Sequence, residues 1–167
     1  RDGRPVYFQH GNRDFLLGSA FGWSLLAEHC LLRAFGAEVL LVHGDAQCLD
    51  DVAYQGFRAQ VRGAAWQEAF LQRPLSERLK LATQMRDASQ HAQSAQGRAG
   101  LPFADPDTPA CLAILSESSC SLLVHGHTHR PGCFDLGEGC HRLVLSDWDF
   151  EDANEPRGDC LIWSAEG

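Results

Sequence analysis

The stretch Leu122-Leu123-Val124-His125-Gly126-His127-Thr128-His129-Arg130 joins a short apolar run to a glycine turn that carries two histidines. An apolar run of this length, bounded by a turn, is typical of a buried strand. Neutral imidazoles such as those of His127 and His129 are common ligands of divalent transition metals. The stretch therefore predicts a strand in an α/β fold, with a metal-binding turn where the strand ends.

Two earlier runs repeat this order of apolar residues, glycine and polar side chain. Val6-Tyr7-Phe8 leads into Gly11-Asn12-Arg13-Asp14, and Val39-Leu40-Leu41-Val42 leads into His43-Gly44-Asp45. Three such runs indicate one site along a single rim of a sheet. The site would use an amide oxygen and imidazole nitrogens, which suit manganese, iron, nickel, cobalt or zinc. The predicted ligands are Asn12, His43, His127 and His129, with Asp45 orienting a histidine from behind.

The composition is that of an ordinary globular domain. The chain has 167 residues, of which 44% are hydrophobic and 22% charged, enough for one domain with a sizeable core. No apolar stretch is long enough to span a bilayer and no signal peptide opens the chain, so we expect a cytoplasmic protein. The seven cysteines form no C-x-x-C pair and are interpreted as reduced core thiols.

The charge of the chain is unevenly distributed. The net charge is −8, yet residues 58–98 hold seven of the 14 basic residues and three of the 22 acidic ones. A basic segment on an acidic body suits an anionic small ligand, whereas the overall acidity argues against nucleic acid. An apolar stripe in this segment leaves two interpretations open. The segment is either a helix packed on its neighbour, or a basic cap over an anionic ligand that also has an apolar part. The stripe consists of Leu75, Leu79, Ala82 and Met85.

The remaining patterns predict alternating short strands and helices. Apolar runs predict strands over 5–10, 30–35, 38–43, 121–125, 133–136, 141–146 and 158–163. Helices are expected over 15–20, after Asp50-Asp51, after Pro74 and over 108–117. Helical crossovers early in the chain and hairpins late in it favour a two-sheet α/β sandwich over a purely parallel sheet.

The three runs, taken in order, resemble a known set of motifs. G-N-x-[DE], H-G-D and G-H-T-H look like those of the calcineurin-like metallophosphoesterases. Residues 10–18 are very similar to a signature of the UDP-2,3-diacylglucosamine hydrolases, the pyrophosphatases of bacterial lipid A synthesis. Residues 43–58, 142–148 and 157–159 also resemble that family. The resemblance implies a single metallophosphoesterase domain over 1–167, a two-sheet sandwich flanked by helices, with a helical cap inserted at 58–98.

The resemblance also implies an activity. Members hydrolyse the pyrophosphate bond of UDP-2,3-diacylglucosamine through attack of a metal-activated water on the α-phosphorus. The products are UMP and 2,3-diacylglucosamine 1-phosphate, and the cofactor is Mn²⁺, two ions per active site. The expected protein is a monomer that contacts the cytoplasmic face of the bacterial inner membrane peripherally and binds no nucleic acid.

Residue roles follow from the same resemblance. Asn12, His43 and His127 correspond to ligands of one manganese ion, and His129 to a ligand of the other. Asn12, Arg13 and His127 are the expected catalytic residues. The expected substrate-binding residues are Asn12, Arg13, Asp51, Ser89, Gln93, Gln96 and His127.

Three residues depart from what related enzymes carry. Gln93 stands near a usual asparagine and can still hydrogen-bond. Gln96 stands near a position where related enzymes usually carry a lysine. Glutamine supplies no positive charge, and Arg98 is a candidate to supply it instead. Arg13 stands where many relatives have histidine. A permanent cation suits a phosphate leaving group, which needs charge neutralisation more than a proton.

Two of the family's five metal-site motifs have no counterpart in this sequence. No Asp-x-His occurs, and neither Gly44-Asp45 nor Gly158-Asp159 fits the Gly-Asp-x-Phe motif. The sequence is therefore interpreted as a C-terminal portion, lacking the first strands of the fold, with little hydrolase activity alone. Two alternatives remain open: a metallophosphoesterase for another nucleotide pyrophosphate, and a non-catalytic module with residual metal binding.

Overall fold

The computed structural model describes residues 3–18, 23–98, 104–151 and 156–165, without the side chains of residues 93 and 95–97. The chain divides into two compact units. The first comprises Arg1–Leu49 with Pro106–Gly167, and the second is Asp50–Asp105.

The first unit is built on a mixed five-stranded sheet and a smaller two-stranded one. Its strands are β1 Tyr7–Phe8, β2 Ser24–Leu25, β3 Cys30–Ala34, β4 Ala37–Leu41, β5 Leu122–His125, β6 Gly132–Gly137 and β7 Cys140–Val144. In the larger sheet the strand order is β3-β4-β5-β7-β6, and β1 pairs with β2 in parallel. The central strands β4, β5 and β7 are parallel, while β3 and β6 pair antiparallel at the edges. The expected α/β class is confirmed at this level.

The hairpin between β3 and β4 follows from its turn residues. Phe35 and Gly36 have φ values of 51° and 79°, and two left-handed residues make the tight turn that suits the twist of paired strands. Ala34 then pairs with Ala37, and Cys30 with Leu41. The strands predicted over 30–35 and 38–43 are confirmed, and they pair as a hairpin.

A helix and the sheet form the core of the first unit. This α-helix lies over Thr108–Glu117, as predicted. The Asp107 side chain caps it by accepting a bond from the Ala110 N–H, and a proline in its first turn needs no N–H partner there. The helix and the sheet bury a common apolar set: Leu40, Val42, Cys111, Ile114, Leu115, Cys120, Leu123 and Leu136. All seven cysteines are free, but only Cys48, Cys111 and Cys120 are buried.

Two predicted elements of the first unit are wrong. Residues 15–18 form a turn instead of a helix, because the Leu17 N–H bonds to Asp14 and the chain then stays irregular; residues 19 and 20 lie outside the described ranges. Residues 158–163 form no strand. The polar groups of Asp159 bond instead to Ser146 and to the indole of Trp148.

The second unit is helical. Its helices are α1 Val52–Arg62, α2 Ala64–Leu71 and α3 Leu75–Arg98. The helix Thr108–Glu117 of the first unit is α4. The carboxylate of Asp51 caps α1 by accepting the Tyr54 N–H at 3.0 Å, and Trp66 stacks on Phe70 one turn along α2. On α3, Leu75 and Leu79 are largely exposed and Met85 is half-buried. In the described part of the chain, no helix is both long enough and apolar enough to cross a membrane.

Candidate functional site

The turns that follow β4 and β5 lie side by side at the carboxyl ends of these strands. Leu41 pairs with Val124 in parallel register, and the Gly126 N–H donates to the carbonyl of His43 at 3.2 Å. The register carries the histidines to one rim, where the His43 and His127 rings lie 5.0 Å apart between centroids. Two of the predicted ligands are therefore neighbours.

The turn at Gly11 packs against the same histidine. A Cβ atom at position 11 would lie 2.9 Å from Nε2 of His43, closer than side chains tolerate. The Gly11 N–H donates to the carboxylate of Asp14, which holds the turn closed. Asn12 next to it is half-buried and Arg13 is exposed. Glycine at position 11 thus lets the first predicted run approach the second.

A buried histidine lies under the second turn. Gly44 has a φ of 106°, and a Cβ there would lie 2.8 Å from Nδ1 of His125. That nitrogen lies 2.8 Å from the Gly126 carbonyl, which can only accept, so Nδ1 carries the proton. Nε2 then faces the guanidinium of Arg142 at 3.4 Å. Arg142, also buried, stacks on the ring of Phe134 at 4.4 Å, so His125 supports the turns as a neutral residue.

His127 is held in its neutral form. Burial, and next the nearby His43, lower the pKa of its imidazole from 6.5 to about 4. A neutral imidazole keeps the lone pair that a metal ion needs. Both His127 and His129 adopt left-handed backbone conformations, with φ values of 63° and 53°. Such conformations are costly for non-glycine residues and cluster at functional sites.

Asp45 faces the other side of His43. Its Oδ1 lies 3.0 Å from Nδ1 of His43, although the alignment falls short of hydrogen-bond geometry. Asp45 is almost fully buried in the one-turn helix Asp45–Gln47. A carboxylate behind a histidine orients the ring and raises its basicity as a ligand.

His129 contacts the carboxylate of Asp147, which follows the third parallel strand, β7. His125 on β5 pairs with Val144 on β7, so the residues that follow both strands reach the same rim. Nδ1 of His129 lies 3.3 Å from Oδ2 of Asp147. The pKa of Asp147 is lowered, mainly because Arg157 donates a hydrogen bond to its carboxylate. In the sequence, Asp147 and Arg157 stand out only as parts of family motifs. The position of Asp147, three residues after the end of β7, is the signal of its place at the rim.

The other predicted substrate-binding residues belong to the second unit. Asp51 is exposed at the start of α1, and Ser89 is half-buried on α3. The side chains of Gln93 and Gln96 lie outside the described part of the structure. The predictions for these four positions stay predictions.

The donor set fits part of a metal centre. Two imidazoles that bind one metal ion through bonds of about 2.1 Å have ring centres roughly 5 Å apart. The rings of His43 and His127 are 5.0 Å apart. Among the described residues, no group of three or more His, Cys, Asp or Glu side chains is placed to hold a metal. The amide of Asn12 is the further donor that the sequence predicts for this rim.

The fold and these turns define an α/β protein with a histidine-based site at the carboxyl ends of parallel strands. Proteins named UDP-2,3-diacylglucosamine hydrolase are similar in sequence to this chain. The protein of Bordetella pertussis is 44% identical over 170 residues, covering 98% of this chain and 65% of that protein. The protein of Stenotrophomonas maltophilia is 42% identical over 175 residues, covering 98% and 70%. That of Escherichia fergusonii is 40% identical over 156 residues, covering 89% and 64%.

The chain belongs to the UDP-2,3-diacylglucosamine hydrolase family, which confirms the resemblance predicted from its motifs. It spans about two thirds of the length of these relatives. No protein-family model matches the chain.

Proposed function

We propose that this chain forms part of an enzyme that hydrolyses the pyrophosphate bond of UDP-2,3-diacylglucosamine in lipid A biosynthesis. The products would be UMP and 2,3-diacylglucosamine 1-phosphate. The observation that carries the proposal is the meeting of the Gly11, His43 and His127 turns at one rim, in a chain that shares 40–44% identity with hydrolases of that name. The architecture that goes with it is the metallophosphoesterase sandwich, with the helical segment 58–98 as a cap.

The proposed cofactor is Mn²⁺, two ions in the complete active site. Asn12, His43 and His127 would hold one ion and His129 the other. Bound ions of this kind lower the pKa of a water molecule and neutralise phosphoryl oxygens. The support lies in the neutral imidazole of His127 and in the carboxylate of Asp45 next to His43.

Arg13 is proposed to bind the substrate phosphate. It is exposed and follows the Gly11 turn, which packs against His43. A guanidinium stays charged at every physiological pH and matches phosphate oxygens with paired N–H donors. The leaving phosphate is a stable anion, so Arg13 would stabilise developing charge without transferring a proton.

The second unit is proposed to contribute Asp51, Ser89, Gln93 and Gln96 to substrate binding. Its basic residues and the exposed Leu75 and Leu79 on α3 suit a ligand with phosphates and acyl chains. In this proposal the enzyme is a cytoplasmic monomer in peripheral contact with the inner membrane.

The test is release of UMP by the protein expressed from the whole reading frame that contains these residues. We expect Mn²⁺-dependent turnover that chelation abolishes. Arg13→Ala should lower turnover roughly 100-fold, as for loss of one charge-stabilising donor, and His127→Asn should lower it at least as much. His141→Asn, on the exposed start of β7, is the matched control and should stay active.

Two results would point to the alternatives. Turnover of simple nucleotide sugars without turnover of the lipid substrate would indicate another nucleotide-pyrophosphate hydrolase. Mn²⁺ binding without any turnover would indicate a non-catalytic module. Unchanged turnover in Arg13→Ala would refute the phosphate-binding role of Arg13.

A further inference from the structure

We propose that Asp147 and Arg157 form a positioning pair that fixes the ring of His129, so that Nε2 of this histidine faces a metal ion. The inference rests on the proposed function, in which His129 is a ligand of the second ion. It adds two residues that bind neither metal nor substrate themselves.

The contact between His129 and Asp147 selects one ring nitrogen. Oδ2 of Asp147 lies 3.3 Å from Nδ1 of His129. A carboxylate can only accept at neutral pH, so the ring nitrogen that donates towards Asp147 is Nδ1, which leaves Nε2 as the nitrogen with the lone pair. His129 needs such a support because its side chain is 58% exposed and its backbone is left-handed.

Arg157 holds the carboxylate in place. Its Nε donates to Oδ1 of Asp147 at 3.0 Å, and its Nη2 donates to Oδ2 at 2.9 Å. This two-pronged geometry fixes both the position and the plane of the carboxylate. Asp147 is only 16% exposed, and both of its oxygens already accept bonds from the guanidinium. Asp147 is therefore better suited to orient a ligand than to be one.

The segment around the pair is clamped by further hydrogen bonds. Asp149 and Arg157 exchange two backbone hydrogen bonds, of 2.9 and 2.8 Å. The Ser146 N–H donates to Oδ1 of Asp159 and the Asp159 N–H donates to Oγ of Ser146, both at 3.0 Å. The Trp148 indole donates to the Asp159 carbonyl at 2.8 Å. These bonds give the polar groups of Asp159 partners outside any strand. They hold Arg157 where it can reach Asp147.

The first test reads the tautomer of His129 in the metal-free protein by ¹⁵N NMR of the histidine rings. We expect the proton on Nδ1 in the native protein and a loss of that preference in Asp147→Asn, since the amide can donate to the ring as well as accept. A merely structural role for Asp147 would leave the tautomer unchanged. A native His129 with its proton on Nε2 would overturn the proposal without any variant.

The second test measures Mn²⁺ binding to the protein from the whole reading frame by calorimetry. Asp147→Asn should weaken one of the two sites by roughly 10- to 100-fold, the usual effect of losing a support behind a ligand, and Arg157→Gln should weaken the same site. Asp135→Asn is the matched control, because Asp135 is exposed on β6 and its carboxylate accepts from the Gly137 N–H, away from His129 and Arg157. Both affinities should be unchanged in that control.

The outcomes separate this inference from the proposed function. Normal Mn²⁺ affinity at both sites in Asp147→Asn would overturn the positioning role while leaving the hydrolase proposal intact. Weakened binding at one site, in a protein that hydrolyses no nucleotide pyrophosphate, would support the positioning pair and refute the hydrolase.

Discussion

Backbone conformation at single residues shapes the rim. His127 and His129 have left-handed backbones, each at about 1 to 2 kcal/mol for a residue with a Cβ. Gly44, in the turn after β4, adopts a φ of 106° without that cost, because glycine has no Cβ. These conformations hold the imidazoles of His127 and His129 at the rim. A role there accounts for histidine at two positions where it contributes little to packing.

Alanine at position 44 should destabilise the protein. Gly44→Ala combines a φ of 106° with a Cβ only 2.8 Å from Nδ1 of His125, and we expect a loss of about 2 to 4 kcal/mol in the free energy of unfolding. Urea unfolding monitored by circular dichroism measures it. Gly18→Ala is the matched control in the same unit, since a Cβ at Gly18 meets nothing within 4 Å. Equal stability of the two variants would contradict the packing described at Gly44.

The pKa of His127 predicts a pH dependence of stability in the metal-free protein. Because the folded state lowers this pKa from 6.5 to about 4, the unfolded chain binds the proton more tightly. Stability is then fully present above about pH 6.5 and is lost as the pH falls towards about 4.

The corresponding measurement compares native protein with His127→Gln. Between pH 7 and pH 4.5 the native free energy of unfolding should fall by about 2 kcal/mol more than that of the variant. Parallel pH profiles would show that His127 titrates normally.

At the scale of elements, parallel pairing explains how three separate runs reach one place. The strands β4, β5 and β7 end at the same rim, so the turns after them present His43, His127 with His129, and Asp147 together. The Gly11 turn enters from the β1–β2 pair. Pairing register, rather than distance along the chain, brings these side chains within reach.

The start of α1 offers a test that separates a helix cap from a substrate contact. Asp51→Ala removes the acceptor of the Tyr54 N–H and should cost about 1 kcal/mol of stability. Asp51→Asn keeps an acceptor and should fold normally. If Asp51 also contacts substrate, both variants raise KM in the UMP-release assay. An unchanged KM for Asp51→Asn would leave Asp51 with the capping role alone.

At the scale of the whole molecule, the first unit depends on the layer between α4 and the sheet. Leu123, on the central strand β5, is 0% exposed and belongs to the core, whereas Leu32 on the edge strand β3 is 42% exposed. The same side chain therefore occurs in two environments of one sheet.

These two leucines make a matched pair for mutation. Leu123→Ala should lower the free energy of unfolding by about 3 kcal/mol or more, because the surrounding layer closes only partly over the cavity. Leu32→Ala should lower it by less than about 1 kcal/mol. Thermal unfolding of both variants compares them directly, and a similar loss in each would refute the assignment of the core to this layer.

Prediction from sequence succeeded where local signals were strong. Asp107, two residues before Pro109, marks the start of α4, and the two strand-like runs on either side of Gly36-Ala37 mark the hairpin. The prediction of a strand over 158–163 failed although its residues are apolar enough. Its polar groups found partners in Ser146 and Trp148, which no local pattern reveals.

Local sequence was sufficient for the family, the α/β class and the candidate ligands, because glycine turns after apolar runs are short-range signals. The meeting of His43 with His127, the tautomer of His125 and the contact of His129 with Asp147 came only from tertiary structure. Each depends on which strands pair and in which register. That choice is made by the burial of the whole core, so residues far apart in sequence acquire their chemical role only when the sheet forms.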